Sequence, residues 1–207
     1  SNNMGTARFS LAAAGADQTG IAFGGQVGTS AVALSEEYDG SNWTTAPVLS
    51  SARLNLGGTG TLTAAVAFGG AGYTAATEEY NSNINAITQG VWASGGAMNT
   101  GRSEGQTAGT QTASLMSGGV VPGSDATTNN SEEYNGSSWS EGNNLNLYRR
   151  AGGFGTQGTQ TAGLVSGGNG GPSSPAAGIL STAEEYNGTS WSDGGDMPAT
   201  KFSHGAC

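Results

Sequence analysis

The sequence predicts an all-β fold assembled from four repeats of a four-stranded unit, and three observations predict it. The stretch Glu132-Glu133-Tyr134-Asn135-Gly136-Ser137-Ser138-Trp139 recurs at residues 36–43 and 184–191, and a fourth copy at 78–81 has its Trp92 set back by a longer connection. Basic residues Arg8, Arg53, Arg102, Arg149 and Lys201 recur at intervals of 45, 49, 47 and 52 residues, each four places after a Met or Leu. No apolar pattern with the 3.6-residue period of a helix is sustained anywhere.

Each unit reads as four short strands. The first is expected to run through the basic residue, as over 8–13. The second is a run of small residues ending in a glycine pair, as in Ile21-Ala22-Phe23-Gly24-Gly25. The third carries Glu-Glu-Tyr and the fourth Trp, and Asp39-Gly40, Asn135-Gly136 and Asn187-Gly188 between them are tight-hairpin signals. Four strands in about 48 residues match the roughly 50-residue period of one β-propeller blade. The expected organisation is a single domain over 1–207, with units 4–48, 49–97, 98–144 and 145–196. Residues 197–207 repeat the first strand of a unit. They predict either continuation into further units or pairing with another subunit, because a free strand edge invites association.

The residue types suit these places. Paired glycines permit close backbone approach and positive φ near a crowded axis. Tyr and Trp supply large apolar area between neighbouring units while their OH and NH seek partners. A motif Arg and a motif Glu are expected to pair at partly buried positions, bidentate where geometry allows.

Composition narrows the function classes. The 207 residues include 38 glycines, only 10% are charged, and the net charge is −9 with six Lys and Arg. So few cations argue against a nucleic-acid partner, and no apolar run reaches the length of a membrane span. The glycine reads as turn chemistry rather than disorder, because aromatic and β-branched residues are regularly placed. Five of the six basic residues are repeat positions, leaving Arg150, and eight of the fifteen acids sit in Glu-Glu pairs. The remaining acids, Glu104 and Asp125 among them, are scattered over different units and form no local carboxylate pair. With one histidine, His204, and one cysteine, Cys207, no hydrolase triad, cofactor or metal is expected. His204 reads as a strand residue.

These hallmarks resemble the kelch repeat: the glycine pair, a Glu two places before Tyr (Glu36, Glu78, Glu132 and Glu184), a spaced Trp, and an apolar-x-x-x-Arg before the next unit. The resemblance covers essentially the whole chain, with Lys201 in place of Arg and the long Tyr80-to-Trp92 spacing as departures. The wording around the Trp is also similar to kelch-type repeats of phage and environmental viral proteins. The resemblance implies a kelch-like β-propeller whose second-to-third loops share one face with the connections between units. Loops 120–131 and 169–183 would then be neighbours. Ligand- or partner-binding positions are expected there at Val121, Asp125, Asn129, Asn169, Ser173 and Ser174, because scaffolds leave recognition to loops. Unit two lengthens a different connection, 82–91, with Ile84 and Ile87. The expected function is a non-catalytic binding or structural module on an extracellular or virion surface, such as a phage tail, contacting protein or glycan. The alternatives are a homo-oligomeric assembly protein using residues 197–207 and a carbohydrate-active enzyme.

Overall fold

The computed structural model describes residues 3–16, 18–82, 90–123, 126–153, 158–171 and 174–203. Every regular element among them is a β-strand. The first unit comprises β1 (Ala12–Ala16), β2 (Thr19–Phe23), a short pair β3 (Gln26–Val27) and β4 (Ser30–Ala31), then β5 (Ser35–Tyr38) and β6 (Trp43–Ala46). The second is β7 (Gly57–Gly60), β8 (Ala64–Phe68), β9 (Thr77–Asn81) and β10 (Val91–Ser94). The third adds β11 (Gln106–Thr110), β12 (Ala113–Ser117), the short pair β13 (Val120–Val121) and β14 (Ala126–Thr127), then β15 (Ser131–Tyr134) and β16 (Trp139–Glu141). The fourth is β17 (Gly158–Thr159), β18 (Ala162–Ser166), β19 (Ala183–Tyr186) and β20 (Trp191–Asp193). In each unit four strands form one antiparallel sheet in chain order, with the pairs β3–β4 and β13–β14 standing apart as two-stranded ribbons. No helix among the described residues is long and apolar enough to cross a membrane.

The strand that precedes each glycine pair lies where it is expected, but the first strand of each unit does not. In the first unit it begins at Ala12, not at Arg8. Ser10 sits in the left-handed region (φ 53°), which breaks an extended run, and Phe9 makes only an isolated bridge to Gln26. The basic residue therefore belongs to the connection ahead of the strand. Residues 197–203 follow the same rule and are not a strand. The hairpins between third and fourth strands do close tightly. Gly40, Gly136 and Gly188 hold positive φ, and Asp39, Asn135 and Asn187 accept N–H groups from the two residues that close the turn.

Alternation along each strand gives every sheet two distinct faces. One bears Ile21, Phe23, Ser35 and Glu37 in the first sheet; the other bears Glu36, Tyr38 and Trp43. The sheets stack face to opposite face, so the core divides into three clusters, one per gap. Ile21, Phe23, Ala65 and Tyr80 fill the first, Val66, Phe68, Met116 and Tyr134 the second, and Leu115, Val165, Tyr186 and Trp191 the third. Tyr80, Tyr134 and Tyr186 each donate to the carboxylate of the sheet before: Glu37, Glu79 and Glu133. Trp92, Trp139 and Trp191 likewise donate Nε1–H to Ser35, Thr77 and Ser131 at 3.3, 3.0 and 3.0 Å. Phe23 and Phe68 meet the edges of Trp92 and Trp139 at centroid distances of 5.0 and 4.9 Å.

The motif ion pairs are buried and form within one unit: Arg8–Glu36, Arg53–Glu78, Arg102–Glu132 and Arg149–Glu184. They are not bidentate. The second carboxylate oxygen instead accepts a backbone N–H, from Ser50 on Glu78 at 2.7 Å and from Asn99 on Glu132 at 2.7 Å. The other arm of the guanidinium is spent on carbonyls. Arg149 Nη1 donates to Gly167 and Thr182, each at 3.0 Å. One Arg thus joins the end of the second strand to the start of the third, and burial lowers the pKa of Arg53 and Arg149 against the opposing pull of their carboxylates.

Candidate binding mouth

The glycine pairs explain how the units are joined at one end. A side chain on Gly118 would put Cβ 2.4 Å from the Arg149 carbonyl, so only glycine allows that approach. Its neighbour Gly119 donates to the same carbonyl at 2.8 Å, as Gly25 does to Arg53 and Gly70 to Arg102, both at 2.9 Å. Each sheet is in this way laced to the connection that opens the next.

Two residues beyond each motif cation the chain turns left-handed. Ser10, Asn55, Glu104, Ala151 and Ser203 all have φ between 48° and 59°. Asn55 N–H donates to Ser10 C=O at 2.9 Å, Glu104 to Asn55 at 3.1 Å, Ala151 to Glu104 at 2.9 Å and Ser203 to Ala151 at 2.6 Å. A relay of backbone hydrogen bonds therefore crosses every unit at one level. Below it, β1 lies beside β7, β7 beside β11 and β11 beside β17. Thr107 Oγ1 donates to Gly58 C=O at 3.2 Å and Thr59 Oγ1 to Gly109 C=O, tying the first strands of neighbouring sheets together.

The relay rings a cavity of about 610 Å³, with a smaller hollow of about 160 Å³ bordered by Ala12, Gly58, Thr107 and Gly153 from all four units. The larger one is walled by Asn55, Glu104, Arg150 and Asn169, with Phe9 and Phe202 on its rim at 55% and 54% exposure. Asn55 Nδ2 donates to Glu104 Oε1 at 3.4 Å, and Arg150 Nη1 stands 3.9 Å from Glu104 Oε2 with both groups half-buried. The wall thus presents a carboxylate acceptor, a guanidinium fork and amide groups between two aromatic faces. Such a set hydrogen-bonds hydroxyl or amide groups and packs against an apolar ring face. Among the described residues no three His, Cys, Asp or Glu side chains converge as metal ligands.

The two long loops do touch: a Cβ on Gly171 would meet Thr127 Oγ1 at 2.2 Å. They share their end of the molecule with the inter-unit connections, since Ser103 bridges Val120 and Arg150 bridges Asn169. Of the residues expected from sequence, Asn169 enters the cavity wall, its backbone paired with Arg150. Asn129 is tied to the next connection through Nδ2–H to Leu145 C=O at 2.9 Å. Ser174 is buried and accepts the Ala176 N–H at 3.3 Å, and Val121 lies half-buried in β13 against Ala126. Asp125 and Ser173 lie outside the described residues, as do Ile84, Ile87, His204 and Cys207. The cavity residues Glu104 and Arg150 read from sequence only as leftover charges of different units. No recurring residue type marks them: the place two beyond the motif cation holds Ser10, Asn55, Glu104 or Ala151, and the place one beyond holds Phe9, Leu54, Ser103 or Arg150. Comparison with protein-family models gives no match, and neither does comparison with curated proteins.

Proposed function

We propose that this chain is a kelch-like β-propeller serving as a non-catalytic binding module, and that a glycan is the ligand taken in the cavity ringed by the left-handed residues. The supporting features of the fold are four meander sheets stacked face to face, each with its first strand innermost. The observation that carries the glycan reading is the chemistry of the wall. Glu104, Arg150, Asn55 and Asn169 offer fixed donors and acceptors spaced for hydroxyls, and Phe9 and Phe202 offer exposed faces for the apolar side of a sugar ring. Low charge and an abundance of Ser, Thr, Asn and Gly suit an extracellular or virion surface, where this reading places the protein.

The test is an array of immobilised glycans probed with the wild-type chain and with Glu104→Gln combined with Arg150→Ala. The reading predicts selective retention by a subset of glycans and at least about a tenfold loss in the double variant, the scale of a lost charge-assisted hydrogen bond. Absence of retention on every glycan, or retention that survives the double change, contradicts it.

A further inference from the structure

The first and fourth sheets carry the two unmatched halves of an interface that the molecule already makes three times. In each internal gap a Tyr phenol meets the second Glu of the sheet before, and the apolar residue cross-strand from that Glu is covered. Ile21, Val66 and Leu115 are 1%, 0% and 1% exposed, whereas their counterpart Leu164 in the fourth sheet is 41% exposed. Beside it Glu185 is exposed and has no side-chain partner among the described residues. At the other end, the Tyr38 hydroxyl turns back to the Gly40 carbonyl at 3.0 Å and Trp43 is half-exposed.

Residues 197–203 complicate this edge in an informative way. Met197 N–H donates to Ser181 C=O, Lys201 N–H to Leu180 C=O, and Gly168 N–H to Lys201 C=O, at 2.9, 3.0 and 2.8 Å. These repeat the bonds that Leu49 and Arg53 make to the first sheet. The side chain differs: Arg53, Arg102 and Arg149 are buried on a carboxylate of the sheet that follows, whereas Lys201 is exposed. Residues 4–10 carry the same pattern and already bring Arg8 paired with Glu36.

We propose that a second copy of this chain docks its first sheet on the fourth sheet of the first, head to tail, with its residues 4–10 displacing residues 197–203. The exchange conserves backbone hydrogen bonds, buries Leu164 and gives Glu185 the Tyr38 phenol of the incoming copy. Ala183 stands where Ser35, Thr77 and Ser131 serve the other gaps, so Trp43 gains no hydroxyl partner and the contact is weaker than the internal ones. A head-to-tail contact uses two different patches, so blocking either one still leaves one good half per molecule.

Sedimentation velocity over a concentration series tests this with the full chain and substitutions at exposed or half-exposed sites. The wild type self-associates, Leu164→Arg and Tyr38→Arg each stay monomeric alone, and an equimolar mixture of the two forms one-to-one dimers. Lys201→Pro, which removes the N–H bonded to Leu180, tightens association about tenfold. Circular dichroism confirms that each variant is folded. A wild type that stays monomeric throughout overturns the proposal and leaves the face to further repeat units. Leu164→Arg associating as the wild type does also overturns it.

Discussion

Tyr134 Oη donates to Glu79 Oε1 of the preceding sheet at 2.5 Å, while its ring packs on Trp139 at a centroid distance of 5.0 Å. One side chain therefore closes a gap between sheets by burial and by a charge-assisted hydrogen bond together. Desolvation, and then the neighbouring Glu79 carboxylate, push the Tyr134 pKa up to about 12, and Tyr80 and Tyr186 are raised for the same reasons with Glu37 and Glu133.

A phenol whose pKa is higher in the folded chain binds its proton more tightly there. The stability it contributes is complete below the unfolded value, near pH 10, and is lost as pH rises through the folded value. Stability is predicted to be flat up to about pH 10 and to fall steeply toward pH 12. Absorbance at the tyrosinate band should show the three gap tyrosines ionising only with unfolding. Ionisation of all six tyrosines in one step near pH 10, in a folded chain, would refute this.

Arg102 is fully buried and holds Glu132 with one arm and the Gly118 and Asn130 carbonyls with the other. Arg102→Ala leaves Glu132 buried and unpaired and should cost roughly 3–5 kcal/mol. Arg102→Lys retains the charge without the fork and should cost about 1–3 kcal/mol. Chemical denaturation measures both, with the third unit expected to melt first if the repeats uncouple. An unchanged midpoint for Arg102→Ala contradicts the assignment.

Ala151 holds φ at 48° with no side-chain reason to do so. Left-handed backbone costs an L-residue about 1–2 kcal/mol, and glycine gives back roughly 0.5–1 of that through its freer unfolded chain. Ala151→Gly is therefore predicted to stabilise by up to about 1 kcal/mol and Ala151→Val to destabilise by more than that. A shift of opposite sign for Ala151→Gly in thermal melting would show that the relay does not hold this conformation.

Glu141 faces Glu132 across the strand pair, and burial followed by the Glu132 charge raises its pKa. The first unit has Thr45 in that place, opposite Glu36. Glu141→Thr should stabilise by roughly 0.2–1 kcal/mol at neutral pH, since like charges directly opposed are unfavourable. A raised carboxyl contributes stability while protonated and loses it as pH rises, so the gain should fade on acidification below about pH 4. Equal effects at neutral and acid pH would point to a cause other than charge.

The repeat, the four-stranded units and the packing of Tyr and Trp between them were legible because the same Glu-Glu-Tyr motif with its following Trp is written four times in the chain. The starting point of each first strand was not. Nothing in Arg8-Phe9-Ser10 marks Ser10 as left-handed, since that turn is imposed by the backbone relay between units rather than by local preference. Gln111 and Gln160 were equally silent. Each reaches across a gap, Gln111 Nε2 donating to the Ala65 and Tyr80 carbonyls at 3.1 and 2.7 Å. Gln160 does the same to Ser114 and Tyr134 at 3.0 and 2.8 Å. The second unit has Leu62 at that position, so no fixed residue type announces the role. The cavity was hidden for a related reason. Asn55, Glu104 and Arg150 come together only when three units are stacked, and none of the three residue types repeats at its own position.

Stacked sheets are held by the pairing of each gap tyrosine with the carboxylate of the sheet before. A double-mutant cycle on Tyr134→Phe and Glu79→Gln, read by chemical denaturation, isolates that pairing from the burial of the ring. A coupling of about 1–3 kcal/mol is expected, in the range of hydrogen bonds to charged groups. Strictly additive losses from the two substitutions would contradict it.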